Sequence, residues 1–182
     1  MDNKELKQYF ELNCKPSASE RSGQKLGPEY ECLVLIPDRK DASGQSYRPL
    51  GMDEQDGVPG VLRRFQEIGS MRGEVWEEKF EGENLIGLQN QEGASITIEP
   101  GGQIELSDQP MDHLSQVETS IRNFVRDLKE SIRSIQGRLL FLGAQPLFDL
   151  DAIALSPKNR YRIMYRHMLK VGSLGQWMMK AT

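Results

Sequence analysis

The sequence predicts an α+β domain centred on an antiparallel sheet, and three observations lead there. Four short segments near 75–80, 84–89, 94–99 and 103–107 read as successive strands of a meander, the last two with strict apolar–polar alternation. Leu114, Val117, Ile121, Phe124, Val125, Leu128, Ile132 and Ile135 recur at intervals of three and four, one apolar stripe along a helix of about six turns. A length of 182 residues can bury a core and fits a single domain over 1–182.

Taken in order, residues 3–12 read as a short amphipathic helix, and Pro16 to Lys25, rich in Ser, Glu and Gly, as a loop. The apolar run Cys32-Leu33-Val34-Leu35-Ile36 marks a strand over 29–36. Pro37 to Gly57 is polar and rich in Gly and Asp, which predicts a mobile surface loop. A helix near 58–68 precedes the four strands, and Gly137 is expected to end the long helix that follows them. A strand over 138–143 comes next, and Pro157 introduces a last helix from Asn159 to Leu169.

Composition narrows the partners. A net charge of −4 gives no electrostatic reason to expect nucleic acid or an anionic membrane. No apolar run approaches the length of a membrane span, and the polar start Met1-Asp2-Asn3-Lys4 has no signal-peptide core, so a cytoplasmic protein is the default expectation. Cys14 and Cys32 lack the spacing of a metal or redox motif and read as free thiols, the second buried in its strand.

The chemistry concentrates around acidic residues on strands. Ile96 and Ile98, then Ile104 and Leu106, direct one set of side chains inward and leave Gln103 and Glu105 together on the opposite face, beside Glu99 at a Pro100-Gly101-Gly102 turn. Glu29 and Glu31, two apart on a strand, point the same way. Such carboxylates suit a hard cation such as magnesium. They also suit the solvated face of an ordinary hairpin or sheet edge. Lys158, Arg160, Arg162, Arg166 and Lys170 surround an apolar stripe of Tyr161, Met164, Tyr165 and Met168, a cationic face that is either solvated or a clamp for carboxylate and phosphate. His113 and His167 stand alone and read as surface residues.

Several blocks occur in a telling order: Gly27-Pro28-Glu29-Tyr30-Glu31, Glu99-Pro100-Gly101-Gly102-Gln103-Ile104-Glu105-Leu106-Ser107, Pro157-Lys158-Asn159-Arg160-Tyr161, and Lys170-Val171-Gly172-Ser173-Leu174-Gly175. Together with Glu81-Gly82-Glu83-Asn84-Leu85 and Phe141-Leu142-Gly143-Ala144-Gln145-Pro146, this wording resembles glutamate–cysteine ligase of the plant and bacterial type over most of the chain.

The resemblance implies a curved antiparallel sheet with flanking helices, the glutamine synthetase-like catalytic fold, here incomplete at its C-terminus. It implies ATP and magnesium as cofactors, with L-glutamate and L-cysteine joined through a γ-glutamyl phosphate in the first step of glutathione biosynthesis. Glu29, Glu31, Glu99 and Glu105 are the implied metal ligands, Arg160 and Lys158 the catalytic cations, and Gln103 with Arg166 the nucleotide contacts. Tyr161 reads as a packing residue. The chain departs from the family at Trp177 and Ala181, where an aspartate and an arginine are common, and it reads as the N-terminal portion of such an enzyme. The alternatives are a degenerate chain that binds nucleotide or glutamate without turnover, and a split-enzyme subunit completed by a C-terminal half or a homodimer partner. A ligase with another amine as acceptor is a further option.

Overall fold

Side chains that alternate along Glu29–Pro37 build the first and longest strand, β1, with Cys32, Val34 and Ile36 on the core face and Glu29 and Glu31 on the other. The computed structural model describes residues 4, 5, 8, 25–38, 46–52 and 55–182. After β1 come β2 (Tyr47–Pro49), α1 (Val58–Ser70), β3 (Trp76–Glu81), β4 (Asn84–Asn90), β5 (Ser95–Ile98) and β6 (Ile104–Ser107). Then follow α2 (Leu114–Ser131), β7 (Arg138–Leu140), α3 (Asn159–Val171) and α4 (Gly175–Ala181).

The strands form one seven-stranded sheet in the order β2-β1-β6-β5-β4-β3, with β7 also on β1, and every pairing is antiparallel. β1 pairs with β6 through Glu29–Cys32 and with β7 and β2 through its second half. One face of the sheet is covered by α1 and α2. Val34, Leu88, Ile96, Ile98 and Ile104 from the strands meet Val58, Val61, Leu62 and Phe65 of α1 and Phe124 and Leu128 of α2. Phe65 stands edge-on to Trp76, with ring centroids 5.7 Å apart, and abuts Phe124 at 6.0 Å. Cys32 is buried, and its Sγ faces the Ile104 carbonyl.

The α+β class, the strand over 29–36, the helix near 58–68, the four-strand meander and the helix from Asn159 are present, with ends shifted by a residue or two. Other expectations are corrected. Within Pro37 to Gly57, residues 47–49 are a strand, held by pairing to β1 that local composition does not reveal. The long helix stops at Ser131 and gives way to a 3-10 turn at Arg133–Ile135; Gln136, not Gly137, takes the left-handed conformation, at φ 54°. Its apolar stripe does face inward as expected: Phe124, Leu128 and Ile132 are buried, Val117, Ile121, Val125 and Ile135 are partly buried, and Leu114 at the start is exposed. The strand expected over 138–143 ends at Leu140, and α4 had no counterpart in the sequence reading. Residues 4, 5 and 8 are helical, and the rest of the helix expected over 3–12, with Cys14, lies outside the described residues. Among the described residues no helix is long and apolar enough to cross a membrane.

Candidate functional site

Strand pairing gathers the acidic residues. Glu31 of β1 lies directly opposite Glu105 of β6, and Glu105 lies opposite Thr97 of β5, so one polar row crosses three neighbouring strands. Glu29, Ser107 and Ser95 form the next row on the same face. Glu99 follows β5 at the turn, where its N–H donates to the Gln103 carbonyl at 2.8 Å and its carbonyl accepts from Gly102 at 2.9 Å. The turn needs both glycines for different reasons. Gly102 has φ +82°, and a Cβ at Gly101 would lie 2.1 Å from the Lys180 carbonyl oxygen.

Helix α3 brings the cations to this row. The Asn159 N–H in its first turn donates to the Glu81 carboxylate at 2.7 Å, and the Ser156 N–H donates to the Pro100 carbonyl at 2.9 Å, which ties the helix entrance to the sheet. Lys158 is 5% exposed, with its Nζ 5.2 Å from the centroid of the Tyr161 ring; the Arg160 guanidinium lies 4.6 Å from the same centroid. The Tyr161 hydroxyl is 3.0 Å from each Glu99 carboxylate oxygen and accepts from Arg160 Nη2 at 2.5 Å. Arg160 Nη2 is itself 3.8 Å from Glu99.

Crowding of like charge shows in the titration of the carboxylates. Partial burial of its carboxyl group, then Glu105 and Glu99, push Glu31 up to about 7, although the residue as a whole keeps an exposed surface. Glu105 is also raised, first by burial and then by Glu99, while hydrogen bonds from Ser107 at 3.1 Å and from Thr97 at 3.5 Å oppose the rise. Burial lowers Lys158 against the pull of Glu99. Burial raises Tyr161 to about 12, so its hydroxyl keeps its proton at neutral pH.

The expected site residues divide into three groups. Glu31, Glu99, Glu105, Lys158 and Arg160 are brought together, and Glu29 stands at the margin of the same face beside Ser107. Gln103 is occupied within the protein: it is 2% exposed, its Oε1 accepts from the Gly101 N–H at 2.7 Å, and its Nε2 donates to the Thr182 carbonyl at 2.5 Å. That amide braces the turn against the end of α4, and both of its groups are taken by backbone partners. Arg166 is exposed on the second half of α3. Thr97, Ser107, Glu81 and Tyr161 were not foreseen as site residues; for the first two the signal was present, since they share the strand face of Glu105. At the departing positions, Ala181 is buried and its carbonyl accepts from Gln145, and Trp177 is partly exposed.

Among the described residues, no three His, Cys, Asp or Glu side chains converge as they stand on a point that could hold a metal ion. Oxygen donors of the right kind are nonetheless paired across the strands, and magnesium is commonly held through one or two carboxylates together with water and phosphate oxygens. A separate cleft of about 710 Å³ opens on the helix side of the sheet, lined by Trp76, Leu106, Phe124 and Asp127, and holds none of these groups.

A model of glutamate–cysteine ligase family 2 matches residues 25–182. The chain is 33% identical over 183 residues to glutamate–cysteine ligase B, chloroplastic, of Oryza sativa subsp. japonica, covering 100% of this chain and 33% of that protein. It is 32% identical over 186 residues to the chloroplastic glutamate–cysteine ligase of Nicotiana tabacum, covering 100% of this chain and 31% of that one. With the Medicago truncatula protein of the same name it shares 36% identity over 138 residues, 75% of this chain and 25% of the relative. The chain thus spans about a third of the length of the first two relatives. These relatives are named chloroplastic, which overturns the expectation of a cytoplasmic protein drawn from the polar N-terminus.

Proposed function

Because the chain belongs to glutamate–cysteine ligase family 2, we propose that it supplies part of the active site of an ATP-dependent ligase joining the γ-carboxylate of L-glutamate to the amine of L-cysteine. The observation that carries this reading is the row Glu31–Glu105–Thr97 on the sheet, with Glu99 beside it, facing Lys158 and Arg160. Acids and cations side by side suit a reaction in which a phosphoryl group moves between two anions. In that reaction the terminal phosphoryl of ATP passes to a γ-carboxylate oxygen and ADP departs. The cysteine amine then forms the amide bond as phosphate and a proton leave.

Here the protein's contribution is to position reactants and compensate charge. Glu31, Glu99 and Glu105, with Glu29 at the margin, would hold magnesium, which when bound would neutralise phosphate charge and align the nucleotide. Arg160 presents a planar fork that matches a carboxylate or phosphate, and buried Lys158 offers a point charge at the sheet surface. Ser107 and Thr97 orient Glu105 by hydrogen bonding. Arg166, exposed on α3, is the remaining nucleotide contact of this reading. The reading includes the glutamine synthetase-like fold as a single domain over 1–182, with the polar face of the antiparallel sheet as the cup. Of the loop expected over 37–57, residues 39–45 and 53–54 lie outside the described residues.

The test is equilibrium binding of ATP to the chain with and without magnesium, repeated for Glu105→Gln and Glu99→Gln. Magnesium-dependent binding that both substitutions abolish supports the reading. Binding that both leave unchanged removes it. Coverage of about a third of the relatives favours a second reading, in which the chain binds nucleotide or glutamate but forms product only with the remaining portion of the enzyme, as a separate chain or within a homodimer. Product formed by the isolated chain would exclude it.

A further inference from the structure

Tyr161 stands at an unusual junction for a residue expected only to pack. It is 2% exposed, yet its hydroxyl reaches both oxygens of Glu99 at 3.0 Å and takes a hydrogen bond from Arg160 at 2.5 Å. A phenol has one proton and accepts with its lone pairs, so Tyr161 accepts from Arg160 and gives its proton to the nearer and charged acceptor, Glu99, in preference to the Ile98 carbonyl at 3.4 Å. The hydroxyl therefore lies between an anion and a cation that are 3.8 Å apart, at the outer limit of direct contact.

We propose that Tyr161 is a positioning residue that keeps Glu99 and Arg160 from closing into a direct ion pair, so that each remains available to its own ligand: a divalent cation for Glu99, a carboxylate or phosphate for Arg160. This inference rests on the metal reading of Glu99 given above. Without the hydroxyl, a bidentate guanidinium–carboxylate pair is the favoured geometry for two such groups. Such a pair would occupy the oxygen donors of Glu99 and cover them with a positive charge. The ring has a separate role, since Lys158 and Arg160 both lie against it, and Tyr161→Phe leaves that surface in place.

The experiment measures Mg2+ binding by titration calorimetry to the wild-type chain and to Tyr161→Phe, Arg160→Ala and the double variant, each first shown by urea unfolding to be folded. Closure of the Arg160 guanidinium on the Glu99 oxygens predicts affinity on the order of 10- to 100-fold weaker for Tyr161→Phe, the range for changes beside a metal ligand. The double variant should recover to the level of Arg160→Ala, because the intruding cation is gone; a hydroxyl that served only local packing would give no such recovery. A Tyr161→Phe chain that binds like wild type, or a double variant as weak as Tyr161→Phe, overturns the proposal. A wild-type chain that does not bind Mg2+ instead overturns the metal reading. The ion-pair closure is then judged without metal, from the Arg160–Glu99 coupling in double-mutant cycles of urea unfolding. Stronger coupling in the Tyr161→Phe background supports closure, and unchanged coupling overturns it.

Discussion

Glu31 and Glu105 face each other directly across the β1–β6 pairing, two carboxylates at a position where sheet geometry brings side chains closest together. A fold assembled for stability alone would not oppose like charges there. The relationship fixes how the molecule should respond to pH and to cations.

The carboxyl of Glu31 is raised from 4.5 to about 7 by burial and by its acidic neighbours, so the folded chain holds this proton more tightly than the unfolded chain. Between those values the folded state binds more protons, and its stability must fall as pH rises. In Glu31→Gln this contribution is absent. The stability of wild type relative to Glu31→Gln should therefore decline from pH 4.5 towards 7, measured by urea unfolding. A difference that stays constant or grows across the window would sink the idea. Magnesium at a hundredfold excess over its Kd should add about 2.7 kcal/mol to the wild type at neutral pH.

Replacement of Lys158 separates stability from binding. Burial lowers its affinity for a proton, which means that the charged side chain weighs against the folded state. Lys158→Met should leave unfolding free energy within about 1 kcal/mol of wild type, or raise it, because an apolar chain of similar length fills the site. Magnesium-dependent nucleotide binding should weaken at least about tenfold, since removing a buried cation beside a phosphate loses a charge-assisted contact. Loss of stability with unchanged binding would make Lys158 a structural cation.

On the opposite face, Arg72 grips Asp127 of α2 through two hydrogen bonds, and Asp127 is 3% exposed. Asp127→Asn should cost about 1.5–3 kcal/mol of stability, the range for hydrogen bonds to charged groups, with no change in magnesium or nucleotide binding. Denaturant unfolding and a binding titration on the same sample check both halves. An effect on binding would show that α2 communicates with the carboxylate face.

Gly101→Ala drives a Cβ into the Lys180 carbonyl, which backbone cannot evade without moving α4 off the β5–β6 turn. A loss of about 1–3 kcal/mol or more is expected. Gly27→Ala, where nothing lies within 4 Å of the added carbon, serves as the control and should change stability by less than about 0.5 kcal/mol. Equal thermal midpoints for the two variants would show that the contact between the turn and α4 does not hold the site.

Local pattern was enough to identify the α+β class, the strands from Trp76 to Ser107, the facing of Glu29 with Glu31, and the cationic start of α3, because each depends on a side-chain period within a few residues. The family, too, could be read from short blocks in order. What the sequence could not determine by itself was who meets whom. Glu31 reaches Glu105 only through the β1–β6 register, β2 exists only because β1 offers it an edge, and Gln103 is occupied because Gly101 and Thr182 take both ends of its amide. Tyr161 read as packing and became the link between Glu99 and Arg160, since a helical stripe says that a residue is inside but not which polar groups its hydroxyl will find there. Those pairings join segments far apart in the chain, and their free energy arises only when the core has closed and desolvated them together.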